Sequence, residues 1–252
     1  MITDIMICSH SPDIPYLDYC FRSIRKFARL FNSVVLVVGA DQEADFAPFK
    51  KDAVVKTYVR DPNPAKHHLH HQAIKCQADK FCNADYILHT DSDCVFTETV
   101  TPFDYFEDRK PVMLIEEFKR LPDSPWKAPT ERALGWPVAF ETMRRHPQVN
   151  SRRIYGDLRE RVQNLHKVTF EQYVLAQKPN FPWGFSEHCT IGAYALHDPY
   201  WRGAYHWITL PYGKRPPDKL YQAWSHSPPN LAQALPSGGN GTPLELYQKL
   251  GL

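Results

Sequence analysis

No run of 18 apolar residues occurs in the 252-residue chain, so no membrane-spanning helix is expected. The opening residues MITDIMICSHSPD lack the basic stretch and long apolar segment of a secretory leader, and the expected location is the cytoplasm. No two of the six cysteines (Cys8, Cys20, Cys76, Cys82, Cys94, Cys189) form a CxxC pair. All lie in apolar surroundings and read as reduced core thiols, not as disulfides or zinc ligands. Neither sign of charge is in excess. With 30 Lys+Arg against 28 Asp+Glu, the net charge of +2 is too small to indicate a nucleic-acid binder by itself. No internal repeat is present. What is there, 43% hydrophobic and 23% charged residues, is the composition of a globular chain. A chain of this length buries roughly 70 to 75% of the surface its unfolded form exposes, enough for one large domain without staples.

From Asp4 to Cys8 the chain is mostly apolar. It then turns at Ser9-His10-Ser11-Pro12, and Leu17, Phe21, Ile24, Phe27 and Phe31 recur at helical spacing. A β-branched run over residues 34–38, closed by Gly39, and a weaker run over 54–59 predict two further strands. Beyond Asp61-Pro-Asn-Pro, a helix is expected over 66–81, then a buried strand over 86–89 that runs out into Thr90-Asp91-Ser92-Asp93. Strands alternating with helices in this way predict an α/β fold with an open, mostly parallel sheet, whose ligands bind beyond the carboxyl ends of the strands. Downstream, the sequence predicts a strand over 112–115, a Pro-rich loop over 121–130, and helices near 137–145, 150–165 and 169–177. The last of these opens with a capping box, Thr169 to Gln172. A Pro-, Gly- and Ser-rich stretch over 227–243 reads as a mobile loop before a terminal helix over 244–250.

Chemistry concentrates at the strand exit. Asp91 and Asp93, one residue apart, can present hard oxygen ligands to Mg²⁺ or Mn²⁺ bridging to substrate phosphates. The same tripeptide also fits a solvated strand end with a turn aspartate. In His67-His68-Leu69-His70-His71, two histidines stand four apart, but no third zinc ligand is evident, and a polar helix face is the simpler reading. Facing a crevice, His71 and Gln72 could hydrogen-bond sugars, bases or phosphates of an acceptor. Asp13 fits an N-cap of the first helix as well as a ligand contact. Lys75 fits a contact to a phosphate or to an acidic neighbour as well as a snorkelling surface lysine.

Taken together, Gln72-Ala-Ile-Lys75 followed by Ala84-Asp85-Tyr86-Ile87-Leu88-His89-Thr90-Asp91-Ser92-Asp93-Cys94-Val95-Phe96 resembles the nucleotide-sugar-binding half of a GT-A glycosyltransferase. Further matches follow in order: Met143-Arg144-Arg145-His146-Pro147, Phe185-Ser186-Glu187-His188-Cys189-Thr190-Ile191-Gly192-Ala193-Tyr194, and Trp224-Ser225-His226. They resemble the basic helix, the acidic acceptor-side motif and the late metal-binding histidine of such enzymes. The resemblance implies a single GT-A (Rossmann-like) domain over 1–226, with a donor half over about 1–115 and an acceptor half over about 116–226. Residues 227–252 form an appended loop and short helix. It implies Asp93 and His226 as ligands of Mn²⁺ or Mg²⁺, with Asp91, Asp13 and Lys75 on a UDP-sugar donor. Glu187 is the implied general base, and also fits a first-turn helix acid behind an N-cap Ser186. His226 also fits a surface loop histidine.

The His/Gln-rich helix leading into the acidic motif is similar to the DNA glycosyltransferases associated with base J and with phage hydroxymethylpyrimidine oxidation systems. That implies a hydroxymethylpyrimidine in DNA as acceptor, contacted by His71, Gln72, Arg144 and Arg145, and a host-cytoplasm location for a phage-encoded chain. The sequence departs from that pattern in carrying histidines where aromatic residues are expected before Gln72. Over 141–168, seven basic residues (Arg144, Arg145, Arg152, Arg153, Arg159, Arg161, Lys167) stand against three acidic ones and could track phosphates. Over 201–219, Trp201, Tyr205, Trp207 and Tyr212 interleave with Arg202, Lys214, Arg215 and Lys219 and could stack on a base or sugar, although a solvated basic helix and core aromatics fit equally. Three rivals remain. Glycan or lipopolysaccharide acceptors would share every donor-side residue, Asp91-Ser92-Asp93-Cys94-Val95 also fits the nucleophile motif of haloacid dehalogenase-type phosphatases, and a non-enzymatic carbohydrate or nucleic-acid binding module would need no metal ligands.

Overall fold

The computed structural model describes residues 1–143, 148–179, 184–210, 219–222 and 243–252. Three apolar runs form its centre. β1 (Thr3–Cys8), β2 (Val34–Gly39) and β4 (Tyr86–Asp91) are buried along nearly their whole length, as strands of a parallel sheet covered on both faces must be. With β3 (Val54–Tyr58) and β9 (Gln148–Ser151) they make a five-stranded sheet in the order β3-β2-β1-β4-β9, parallel throughout except for β9. The fold is therefore α/β, with a mixed, mostly parallel sheet flanked by helices, compatible with a Rossmann-like arrangement.

The order fixes the site. From β1 the chain builds outward through β2 to β3, then returns to the other side of β1 as β4, so β1 and β4 flank the point where the direction of winding reverses. Their carboxyl ends are level, Cys8 pairing with Asp91. Open sheets bind ligands at such a reversal, in the crevice beyond the strand ends.

Helices cover both faces. α1 (Ile14–Phe27) turns Leu17, Cys20, Phe21 and Ile24 onto Ile5, Ile7, Leu36 and Leu88. On the opposite face α2 (His67–Lys75) packs Leu69, Ala73 and Ile74 against Met6, Cys8, Val35 and Ile87. Expected to run to 81, α2 stops at Lys75. Arg159 supplies the reason: its guanidinium takes the Cys76 carbonyl (2.9 Å) and both oxygens of Asp79, and the chain tightens into a 3-10 turn over Ala78–Lys80.

Two smaller sheets follow. β5 (Cys94–Phe96), directly after the acidic motif, pairs antiparallel with β11 (Leu220–Gln222). β7 (Lys110–Glu117) pairs with β6 (Phe106–Glu107), β8 (Phe140–Glu141) and, in parallel, β10 (His206–Thr209). Two expectations fail here. Residues 127–134 lie in α3 (Lys127–Leu134) where a loop was expected through 130, because Pro129 sits in the first turn, where it removes no helical hydrogen bond. The helix expected over 137–145 does not form within its described part; Gly135 ends α3 at φ 79°, and Phe140–Glu141 joins β7 instead. The helix expected from 150 begins later, as α4 (Ile154–His166), because Asn150 and Ser151 belong to β9. α5 (Phe170–Leu175) opens with the expected capping box: the Gln172 N–H donates to Thr169 Oγ1 at 3.2 Å and the Thr169 N–H to Gln172 Oε1 at 3.0 Å. α6 (Glu187–His197) and α7 (Pro199–Ala204) complete the covering layer.

α8 (Pro243–Lys249) matches the expected terminal helix and docks on α1, Tyr247 stacking on Tyr19 at 4.3 Å and Lys26 Nζ donating to the Leu250 carbonyl at 2.5 Å. Most of the expected loop over 227–243 lies outside the described residues. All six cysteines are buried and unpaired, as expected of core thiols. Among the described residues no helix is long and apolar enough to cross a membrane.

Candidate functional site

At the reversal point, three elements deliver charge to one place. β4 ends at Asp91, α2 ends at Lys75, and α6 begins at Glu187 with Ser186 as its N-cap, the Cys189 N–H donating to Ser186 Oγ at 3.3 Å. Both sequence readings of Glu187 therefore coexist. It is a first-turn acid, and its carboxylate points to the other two elements. Lys75 Nζ donates to Asp91 Oδ1 at 2.8 Å and to Glu187 Oε1 at 3.1 Å. The other Glu187 oxygen accepts from Gln72 Nε2 at 2.9 Å, and that amide also donates to the Phe185 carbonyl at 3.2 Å.

Lys75 is 8% exposed and Glu187 3%, so their charges are mutually dependent. Burial alone would lower the Lys75 pKa, but Asp91 and then Glu187 hold the ammonium charged well above its ordinary range. Burial alone would raise that of Glu187, but Lys75, helped by His188, keeps the carboxyl ionised far below the usual carboxylate range. The snorkelling reading of Lys75 is thereby corrected: its head is inside, between anions.

The aspartates on the β1 side form a second group. Asp13 stands at the N-cap position of α1, yet its carboxylate makes no capping bond. Oδ2 instead accepts from Ser92 Oγ at 2.8 Å and meets His10 Nδ1 at 3.2 Å, which joins the β1 exit to the acidic motif. Asp93 is buried, and Cys94 Sγ points at its Oδ1 from 3.8 Å. His71 meets His10 edge to face, centroids 6.5 Å apart, and its pKa is driven down to about 3, first by burial and then by Lys75, so the ring is neutral. Its Nε2 and the Gln72 Oε1 are buried without a hydrogen-bond partner.

The histidine cluster divides. His70 Nδ1 accepts from the Asp61 N–H at 2.8 Å and its Nε2 faces Glu171 at 3.3 Å, while His67 Nε2 meets the Asp61 carbonyl at 3.0 Å. These two fasten the loop before α2; His71 is the one at the crevice. Among the described residues no three His, Cys, Asp or Glu side chains gather as a metal-holding group. The hard oxygens at Asp91 and Asp93 suit a cation that completes its shell with water and phosphate. His226, Arg144 and Arg145 lie outside the described residues.

Sequence reasoning missed the layer behind Glu187. His188 Nε2 lies 3.6 Å from Glu187 Oε1, and its Nδ1 meets Gln148 Oε1 at 3.0 Å. Gln148 donates its own amide to the Thr142 carbonyl, so its Oε1 is left to accept from His188. His89, the register partner of Gln148, meets the Tyr155 hydroxyl at 2.6 Å. The adjacency of His188 to Glu187 was visible in sequence; the pairing of β4 with β9 was not.

Two expectations about surface chemistry change. Trp201 and Tyr205 are core residues, the indole donating to Asp157 Oδ2 at 2.9 Å and the phenol to Asn150 Oδ1 at 3.1 Å, so neither ring is a stacking platform. Of the basic residues over 141–168, Arg159 is spent on Asp79 and Arg161 on the Leu134 carbonyl at 2.8 Å. Comparison with known protein families and with curated proteins finds no match.

Proposed function

We propose that this chain is a metal-dependent GT-A glycosyltransferase that moves a sugar from a nucleotide-sugar, first a UDP-sugar, to a hydroxyl acceptor. The acceptor proposed is the hydroxymethyl group of a modified pyrimidine in DNA. The observation that carries the reading is the Asp91-Ser92-Asp93 exit of β4 at the winding reversal, tied through Lys75 to Glu187 on α6. Sugar transfer needs an anion-binding side for the departing diphosphate and a proton acceptor for the incoming hydroxyl, and this constellation supplies candidates for both.

In this reading Asp93, with His226, would hold Mn²⁺ or Mg²⁺, which when bound supplies Lewis-acid chemistry to the leaving diphosphate. Gln222, four residues before His226, is the register partner of Cys94, next to Asp93. Asp91 and Asp13 contact the donor, and Lys75 faces the diphosphate. Glu187 accepts the proton of the hydroxyl, and direct displacement by that hydroxyl inverts the anomeric centre. His71 and Gln72 hold the acceptor, with Arg144 and Arg145 on phosphates.

The test is mass spectrometry of nucleosides digested from 5-hydroxymethylcytosine and 5-hydroxymethyluracil DNA after incubation with pooled UDP-sugars and Mn²⁺. A hexose- or N-acetylhexosamine-sized gain that disappears with chelator is expected. Glu187→Gln should abolish the gain, and full turnover in that variant would remove Glu187 from the role. Arg144→Ala/Arg145→Ala should weaken DNA binding and flatten its salt dependence.

A second reading, a glycan acceptor, is favoured by one observation. Two carboxylates, Asp91 and Glu187, share the Lys75 ammonium, Asp13 adds a third on the Ser92 hydroxyl of the acidic motif, and two of the basic residues expected to meet phosphates are paired internally. Metal-dependent release of UDP without any gain in DNA mass would select it.

A further inference from the structure

Glu187 is held by a donor on each oxygen. One oxygen is on the Lys75 ammonium and the other on Gln72, both donors buried, and Gln72 is itself fixed by its second bond to the Phe185 carbonyl. Among the described residues, the groups facing Lys75 include Asp91 from β4, Glu187 from α6, Cys8 from β1, His71 from its own helix and Cys76 at the end of that helix. Burial raises the Cys8 thiol to about 12 and the Cys76 thiol well above its ordinary value, and His71 is neutral, so the hydrogen-bonded partners of the ammonium are the two carboxylates. The ammonium therefore has one partner on the donor side and one on the acceptor side, with a flexible four-carbon stem between them and its helix.

We propose that Lys75 is shared between Glu187 and the donor: a nucleoside diphosphate bound beside Asp91 draws the ammonium away from Glu187, so the diphosphate and the Glu187 carboxylate compete for one cation. This rests on the nucleotide-sugar reading above. Its consequence is an order of events. With no diphosphate in place, the ammonium compensates the Glu187 charge and weakens it as a base; with diphosphate in place, that charge is uncompensated and Oε1 is a stronger acceptor for the incoming hydroxyl. Competition of this kind is reciprocal, because whatever frees Lys75 from Glu187 must strengthen diphosphate binding by the same factor that diphosphate weakens the Lys75–Glu187 pair.

The sign of that linkage makes the test. Calorimetric titration of UDP with Mn²⁺ is compared in the wild type, Glu187→Gln, Lys75→Met and the double variant, with uridine plus Mn²⁺ as the phosphate-free control. Glu187→Gln should bind UDP more tightly, by about fivefold or more, while uridine binding stays unchanged. Lys75→Met should weaken UDP by about tenfold or more, and the gain from Glu187→Gln should vanish in its background. If Lys75→Met does not fold, Lys75→Arg and the near-isosteric Glu187→Gln still give the sign. A carboxylate with a merely structural role would loosen the site when neutralised. Unchanged or weaker UDP binding by a Glu187→Gln protein that is folded at the titration temperature, as a cooperative melt shows, therefore overturns the shared lysine and leaves the glycosyltransferase reading standing. If the wild type binds none of UDP, CDP, ADP and GDP, the glycosyltransferase reading falls and this inference falls with it.

Discussion

An ammonium and a carboxylate buried together are stable only as a pair, because removing either leaves an uncompensated charge away from water. Lys75→Met should therefore cost about 3 to 5 kcal/mol in a denaturant titration, whereas Glu187→Gln, which keeps the shape, should cost less. Asp4 is a second buried carboxylate with a purely structural task. It accepts from Asn32 Nδ2 (2.8 Å), Ser33 Oγ (2.7 Å) and the N–H groups of Asn83 (3.1 Å) and Ala84 (3.0 Å). Burial would raise its pKa, but these bonds outweigh it and hold the carboxyl below its ordinary value. A depressed carboxylate contributes stability above its unfolded pKa and loses it as pH falls through the folded one, so acid should destabilise the protein from about pH 4 downward. Asp4→Asn should flatten that acid limb in thermal melts, and an unaltered limb would place the proton uptake elsewhere. In the sequence Asp91, Asp93 and Glu187 stood out by residue type and setting. An acidic neighbour for Lys75 was legible as well, but not that two carboxylates share it, since Glu187 reaches it only through the packing of α6.

Long elements announced themselves through period and β-branching; short ones did not. β1, β2 and β4 emerged within a few residues because fully buried parallel strands read as continuous apolar runs. β5, β6, β8 and β11, two or three residues each, exist through partners far along the chain and leave no local signature. The early end of α2 was equally hidden, since its cause is Arg159 from α4. Helix ends offer two direct tests. Lys167 ends α4 in the left-handed region at φ 58°, where a side chain is strained and glycine is not. Lys167→Gly should raise stability by about 0.5 to 1 kcal/mol, read as an upward shift of the denaturation midpoint. Thr169→Ala should lower it by about 1 kcal/mol through loss of the α5 capping box.

At the level of the molecule, the chain closes on itself near its chemistry. β11 pairs with β5 directly after Asp93, and α8 covers Val95 with Tyr247 against Tyr16 and Tyr19. Tyr247→Ala should cost about 3 kcal/mol in stability; no loss on thermal melting would mean that α8 is dispensable to the fold. Aromatics read from sequence as a stacking surface turned out to be core, because Trp201 and Tyr205 find acceptors on α4 and β9 that only the assembled layers supply.

The spacing of the Lys75 contacts also bears on how a ribosome delivers this protein. Asp91 lies 16 residues after Lys75 and Glu187 lies 112 after it. As the chain emerges, Asp91 is available to Lys75 almost at once, and Glu187 only after most of the acceptor side has been made. The order of synthesis thus supplies the donor-side counter-ion of Lys75 well ahead of the acceptor-side one.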